Sequence, residues 1–265
     1  MYAYLRRHPS IFMPDQKEPH YFASDLPKFQ QVQTEAAYLR LFDEASEEHE
    51  AIGEASTWYL YSEQAAEAIH RFRRDARVMV FFRNPVDFVQ SLHAQFAYNS
   101  GQRPDFAASW ARTRSRNRLL ASASFGTQFG ELRRVIPREQ IQVFLLEDIR
   151  HDVSAQYQRA LRFLSLLDDG RTDFPRYNAR KTHRSLGLAK FTRDTPKPVE
   201  RTWETVKKLT GIRNVGFLDR LRKWNVRPLE RKALSFALRS EVYGALSDEI
   251  DLLGQQLEID LSHWK

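Results

Sequence analysis

Arg77-Val-Met-Val-Phe-Phe-Arg83-Asn84-Pro85-Val-Asp-Phe-Val-Gln-Ser91 decides the fold, because it carries a short apolar run directly into a helix start through a basic turn. Val78 to Phe82 is rich in β-formers, too short for a helix and bounded by charge, so it reads as an interior strand. Asn84 is a good N-cap and Pro85 suits the first helical position. A strand that feeds a helix N-terminus beside an arginine is a natural place for an anion, since backbone N–H groups point outward there. Ser91, two turns into the helix, is placed to turn a hydroxyl back toward the same anion. Read plainly, Arg83 is a solvated strand end and Ser91 an ordinary helix serine, and the pattern alone weighs the two readings about equally.

The remaining pattern repeats the strand-then-helix alternation. Ile141-Gln-Val-Phe-Leu-Leu-Glu147-Asp148 is a second apolar strand followed by acids that would cap the next helix. Helices are expected at the very start (2 to 8), over 62 to 73, over 85 to 97 and over 152 to 167. From about Thr202 the apolar spacing turns helical, running through Trp203, Val206, Leu209, Phe217, Leu221, Leu234, Leu238, Val242, Leu246, Ile250 and Leu253, which predicts a helical C-terminal cap. Strands separated by helices argue for a three-layer α/β fold with a mainly parallel sheet.

Three segments together resemble one family. Phe81-Phe82-Arg83-Asn84-Pro85-Val86-Asp87 with Ser91 is similar to the 3′-phosphate motif of sulfotransferases that use 3′-phosphoadenosine 5′-phosphosulfate (PAPS), of the bacterial type related to carbohydrate and heparan sulfotransferases. Phe88 stands where many members carry a further arginine. Lys17-Glu18-Pro19-His20-Tyr21-Phe22 resembles the family's Lys-Glu-x-x-Phe-Phe turn, and Gly53-Glu54-Ala55-Ser56-Thr57-Trp58-Tyr59 its Gly-Glu-x-Ser-x-x-Tyr segment. The resemblance implies a phosphate-loop nucleotide hydrolase-like fold, flanked by helices on both sides of the sheet. It implies Arg83 and Ser91 on the 3′-phosphate, Glu18 as general base with His20 in reserve, Lys17 on the transferring group, and Glu54, Ser56 and Tyr59 beside the acceptor. An acceptor hydroxyl attacking sulfur needs such a base, and the leaving phosphate needs cations. Without the resemblance, Lys17 and Glu18 read as a solvated loop pair, and Trp58 and Tyr59 as packing.

The family opens with a strand and a Lys-x-Gly-Thr-Thr loop that cradles the 5′-phosphosulfate. None of the ten glycines lies in such a loop, and Met1 falls inside the helix that would follow it. The expectation is therefore a single sulfotransferase-like domain over 1–265, truncated at its N-terminus, with the first strand and phosphate loop missing. It would transfer sulfonate from PAPS to a carbohydrate, lipid or small-molecule hydroxyl or amine. The alternative is a non-catalytic scaffold or fragment with an incomplete donor site.

Composition bounds these readings. The 265 residues contain no Gly/Ser-rich or Pro-rich linker, and a hydrophobic fraction of 42% with 18 Phe is ample for a core, which excludes a disordered chain. With no cysteine, disulfides, thiolate metal sites and a cysteine nucleophile are excluded; the scattered histidines imply no metal. No apolar run reaches transmembrane length and no signal pattern opens the chain, so a cytoplasmic protein without a membrane segment is expected. Net charge is +7, and the excess is concentrated: residues 176 to 232 hold 17 Lys/Arg against 5 Asp/Glu. Such a region favours an anionic partner, PAPS among them. Within it Arg180, Lys181 and Arg184 are expected near the nucleotide or acceptor, while the Arg112 to Arg118 cluster splits over two helix faces and reads as surface. No helix-turn-helix, zinc-finger or RNA-recognition signature is present, so nucleic acid is not an expected partner.

Overall fold

The computed structural model describes residues 1–102, 105–175, 181–183, 226–228 and 233–264. Their order is α1 (Tyr2–Leu5), β1 (Ile11–Phe12), α2 (Glu35–Leu39), β2 (Ala51–Ile52), α3 (Ala65–Phe72), β3 (Val78–Phe82) and α4 (Pro85–Asn99). Then follow α5 (Phe106–Trp110), α6 (Thr113–Ser122), α7 (Phe125–Val135), β4 (Ile141–Leu145), α8 (Leu146–His151), α9 (Val153–Leu164), β5 (Lys181–His183), β6 (Val226–Pro228), α10 (Phe236–Gly244) and α11 (Ser247–Leu257). The chain groups into two compact units, one of 1–87, 120–177 and 241–265, the other of 88–119 and 178–240.

In the first unit the strands pair in parallel. β1 pairs with β2, Ile11 opposite Ala51, and β3 with β4, Val78 opposite Ile141 through Phe82 opposite Leu145. The expected mainly parallel sheet therefore takes the form, among the described residues, of two parallel pairs, with an antiparallel pair β5–β6 in the second unit. β3 spans the same five residues that its sequence pattern predicts. Its alternation does the work of placement: Val80 and Phe82 are buried, and Phe82 meets Phe125 and Phe129 of α7 at 5.3 and 5.6 Å between ring centroids. On the opposite side Phe81 stacks on Phe144 at 5.0 Å and remains 45% exposed.

α7 buries Phe125, Phe129 and Leu132, the i, i+4, i+7 stripe of an amphipathic helix. Its neighbour is α11, and Gly126 permits their approach: a Cβ there would lie 2.7 Å from the Glu249 carbonyl oxygen and 2.8 Å from the Leu252 Cβ. Thr127 fixes the same contact by donating its N–H and its hydroxyl to the Glu249 carboxylate, at 2.9 and 2.7 Å.

α9 starts at Asp152, whose carboxylate accepts the Ala155 N–H at 2.9 Å, and stops three residues before the sequence pattern predicts, at Ser165 with φ of 63°. It buries Tyr157, Ala160 and Leu161 into a core shared with Tyr4, Leu5, Ile11 and Phe144. At about 25 cal/mol per Å² of apolar surface removed from water, each large side chain of that core contributes about 1.5–3 kcal/mol. Beyond α9, Asp169 and Arg171 form a nearly buried ion pair at 2.9 Å, and Arg171 also donates to the Arg7 carbonyl, tying this loop to the N-terminal turn. Burial pushes the Asp169 carboxyl up, but the hydrogen bond and charge of Arg171 outweigh it and hold it below the usual range.

The second unit contains most of α4, α5 and part of α6. His93 and Ser109 share a 2.8 Å hydrogen bond, and the Arg118 guanidinium lies 4.1 Å over the Phe96 ring. Of the arginine cluster expected at the surface, Arg112, Arg114 and Arg118 are exposed and Arg116 is half-buried. Of the expected helical cap, α10 and α11 are described and the part between Thr202 and 225 lies outside the described residues.

Candidate functional site

Each named motif leaves the C-terminal end of a parallel strand. β1 leads into Lys17-Glu18-Pro19-His20, β2 into Gly53-Glu54-Ala55-Ser56, β3 into Arg83-Asn84 and β4 into Glu147-Asp148. Parallel α/β sheets bind ligands at this end because every loop that leaves a strand converges there.

The β1 turn is strained. Glu18 has φ of 54° and His20 of 49°, so two residues with side chains stand in the left-handed region on either side of Pro19. Each such conformation costs about 1–3 kcal/mol and persists only where its surroundings over-determine it. Here they do. The Glu18 N–H donates to the Ala55 carbonyl at 3.0 Å and the His20 N–H to the Ser56 hydroxyl oxygen at 3.1 Å. The Pro19 carbonyl accepts both the Gln31 and the Val32 N–H at 3.0 Å. Ser56 in turn donates its hydroxyl to Glu54 at 2.8 Å.

His20 is 2% exposed and sets its ring edge-on to Tyr59, with centroids 6.2 Å apart. Neither ring nitrogen makes a well-formed hydrogen bond, although the backbones of Phe29 and Glu18 lie close. Burial lowers its pKa, opposed by the Glu18 charge, so the imidazole is neutral near pH 7. Glu18 itself is half-buried and Lys17 exposed. The Lys17 ammonium sits 4.1 Å over the Tyr2 ring, a cation–π contact that orients it.

Glu54 is largely buried. Burial raises its carboxyl, and hydrogen bonding with Tyr59 and Ser56 opposes the rise. The Tyr59 phenol is pushed up by burial and by the Glu54 charge, and its oxygen accepts the Phe22 N–H at 3.4 Å. Tyr59 also packs against the aromatic cluster of Phe22 and Tyr38. Trp58 stacks on Phe29 at 4.1 Å, the packing role that an isolated aromatic implies.

At the β3 end the helix start is satisfied from within. Asn84 accepts the Val86 N–H at 2.9 Å and the Asp87 N–H at 3.3 Å, and Pro85 has none to offer. The sequence pattern predicts open amides here; the N-cap side chain fills them instead, so attraction for an anion falls to the guanidinium of Arg83. Arg83 is half-buried and donates to the Asp87 carbonyl at 2.6 Å. Asn84 also donates to the Trp264 carbonyl at 2.6 Å, and the Trp264 indole N–H donates to Glu147. Glu147 was expected only to cap a helix; it lies in the first turn of α8 and anchors the C-terminal segment as well. No short-range pattern marks Trp264 for this task.

Ser91 lies on α4 in the second unit. Lys181 opens β5, while Arg180 and Arg184 lie outside the described residues. Among the described residues no three His, Asp or Glu side chains converge as a metal site, and no helix is long and apolar enough to cross a membrane.

No protein-family model and no curated protein sequence matches the chain. Among solved structures it is similar to a sulfotransferase from Alicyclobacillus acidocaldarius, with a TM-score of 0.69 and 22% identity over 98% of this chain and 91% of that one. The strand pairs, the helices around them and the strand-end turns just described thus belong to a chain with the fold of a sulfotransferase.

Proposed function

We propose that residues 1–265 form a sulfotransferase domain that moves a sulfonate group from PAPS to a hydroxyl or amine acceptor and releases 3′,5′-ADP. The observation that carries this reading is the strained Glu18-Pro19-His20 turn, which holds a carboxyl group and a buried imidazole at a strand end in a sulfotransferase fold. The acceptor oxygen attacks sulfur, its proton passes to the Glu18 carboxylate, and the bond from sulfur to the 5′-phosphate oxygen breaks. Lys17 offsets negative charge on the transferring group, and Arg83, with Ser91, takes the 3′-phosphate. Arg180, Lys181 and Arg184 add positive charge for the donor. Carbohydrates and lipids supply the acceptor class on the resemblance of the Lys17 to Phe22 turn.

Calorimetric titration of 3′,5′-ADP into the chain and into Arg83→Ala tests the donor half. Saturable binding weakened about 10- to 100-fold in the variant, the loss expected for a charge-assisted phosphate contact, supports the reading. No binding by the folded wild-type chain overturns it in favour of a sulfotransferase-like scaffold without a working donor site.

A further inference from the structure

The Glu54 to Ser56 segment was expected to touch the acceptor, but its geometry assigns it another duty. Ser56 Oγ sits between two partners, accepting the His20 N–H at 3.1 Å and donating to Glu54 Oε2 at 2.8 Å. One residue earlier, the Ala55 carbonyl takes the Glu18 N–H at 3.0 Å. These bonds reach the two residues whose backbones are left-handed, one bond to each. They also come from the loop after β2, whose pairing with β1 is continued by the Gly53 N–H to Phe12 carbonyl bond at 3.0 Å. The parallel ladder thus runs on past the strand ends as a side-chain and backbone clamp.

We propose that Ser56, held by Glu54, is a positioning residue that locks the Glu18-Pro19-His20 turn in its left-handed form and so aims the Glu18 carboxylate at the acceptor. This deepens the sulfotransferase reading and rests on it for the word acceptor; the lock itself rests only on the geometry. A serine hydroxyl suits the task because it is donor and acceptor at once, so one atom passes the hold of the buried carboxylate on to a backbone N–H. With that link cut, the turn can relax toward right-handed backbone, which swings both side chains away from the strand end. Pro19 limits the relaxation to its two neighbours, because its own φ is fixed.

The test uses Ser56→Ala and the conservative Ser56→Thr in the full chain, each compared at matched folded fraction. Two readouts are taken: amide hydrogen exchange at Glu18 and His20, and sulfonate transfer from PAPS to an acceptor panel of simple sugars and alcohols. The lock predicts that Ser56→Ala speeds exchange at both amides by about 10-fold or more, as expected for loss of a buried hydrogen bond, and that Ser56→Thr restores protection. It further predicts a fall in kcat of about 10-fold or more with acceptor KM and 3′,5′-ADP affinity little changed, since misplacing a base costs rate rather than binding. A rise in KM at constant kcat would make Ser56 an acceptor contact and overturn the proposal, as would unchanged exchange at Glu18 and His20. If the wild-type chain transfers nothing, the exchange result still decides whether the lock exists, so its failure and that of the sulfotransferase reading remain separate.

Discussion

The ends of β1 and β3 carry the two halves of the proposed chemistry and are held in opposite ways. At β1, two side-chain-bearing residues stand in left-handed backbone and are kept there by hydrogen bonds from the β2 loop and from Gln31 and Val32. At β3, Asn84 and Pro85 start α4 in the most favourable manner, with the cap bonds in place and Trp264 fastened to the cap. In the proposed reaction the two ends would do different work. A group that moves a proton has to be aimed, and aiming a short turn against its preference needs outside restraints. A group that only binds phosphate can sit on a relaxed helix start.

That contrast is broken most directly by Glu18→Gln. If the carboxylate is the base, transfer falls about 10²- to 10⁴-fold while 3′,5′-ADP binds as before; a loss of under about 5-fold would move the base to His20 or elsewhere. Next in size is Gly126→Ala, which alters no residue of either strand-end turn and serves as the structural reference: forcing a Cβ against the Glu249 carbonyl is expected to cost about 1–3 kcal/mol in urea denaturation. Asn84→Ala removes the cap and the Trp264 tie together and should cost about 1–2 kcal/mol, with 3′,5′-ADP binding weakened. Glu18→Gly sharpens the comparison from the other side, since it should stabilise the fold by about 0.5–1 kcal/mol by relieving the left-handed strain even as transfer is lost. If Glu18→Gly is destabilising, the β1 turn is not strained in the sense argued.

The smallest effect expected is on pH dependence. Burial lowers the His20 pKa, so the unfolded chain binds this proton more tightly, and stability is lost as pH falls below about 6.5 toward the folded value. Burial raises Glu54, so the folded chain holds that proton longer, and the corresponding stability is lost as pH rises from 4.5 toward its folded value. The two slopes oppose each other where they overlap. Glu54→Gln removes one of them, and denaturant midpoints for that variant should fall more steeply on acidification below about pH 6.5 than those of the wild type.

Much of the frame was legible because its signals are local. Val78–Phe82 carries its own strand signature, and Asn84-Pro85 its own helix start, so both appear where the sequence puts them. α7 was not among the expected helices, although Phe125, Phe129 and Leu132 stand at helical spacing. α9 ends early at Ser165, a left-handed stop made without the glycine that usually announces one. The clamp was out of reach for a different reason. Glu18 and His20 are poor predictors of positive φ, and the bond from His20 to Ser56 joins positions 36 residues apart. The cap bonds of Asn84 show the converse: the sequence names the residue correctly, but the open amides read from it are the very groups it fills.

The strand pairing carries a consequence for how the chain acquires this arrangement. β1 meets β2 only after the whole of α2 and its flanking loops, and β3 meets β4 across four helices, so neither ladder can form from neighbouring residues. Chains whose contacts are distant in sequence fold slowly, because loop closure must precede any gain from pairing. The lock on Glu18 and His20 depends on the first of these ladders and is therefore a late event. Until the β3–β4 ladder closes, Val-Met-Val-Phe-Phe and Ile-Gln-Val-Phe-Leu are two short, uncharged, β-prone segments open to solvent, and the chain should refold in better yield when dilute and cool than when concentrated and warm.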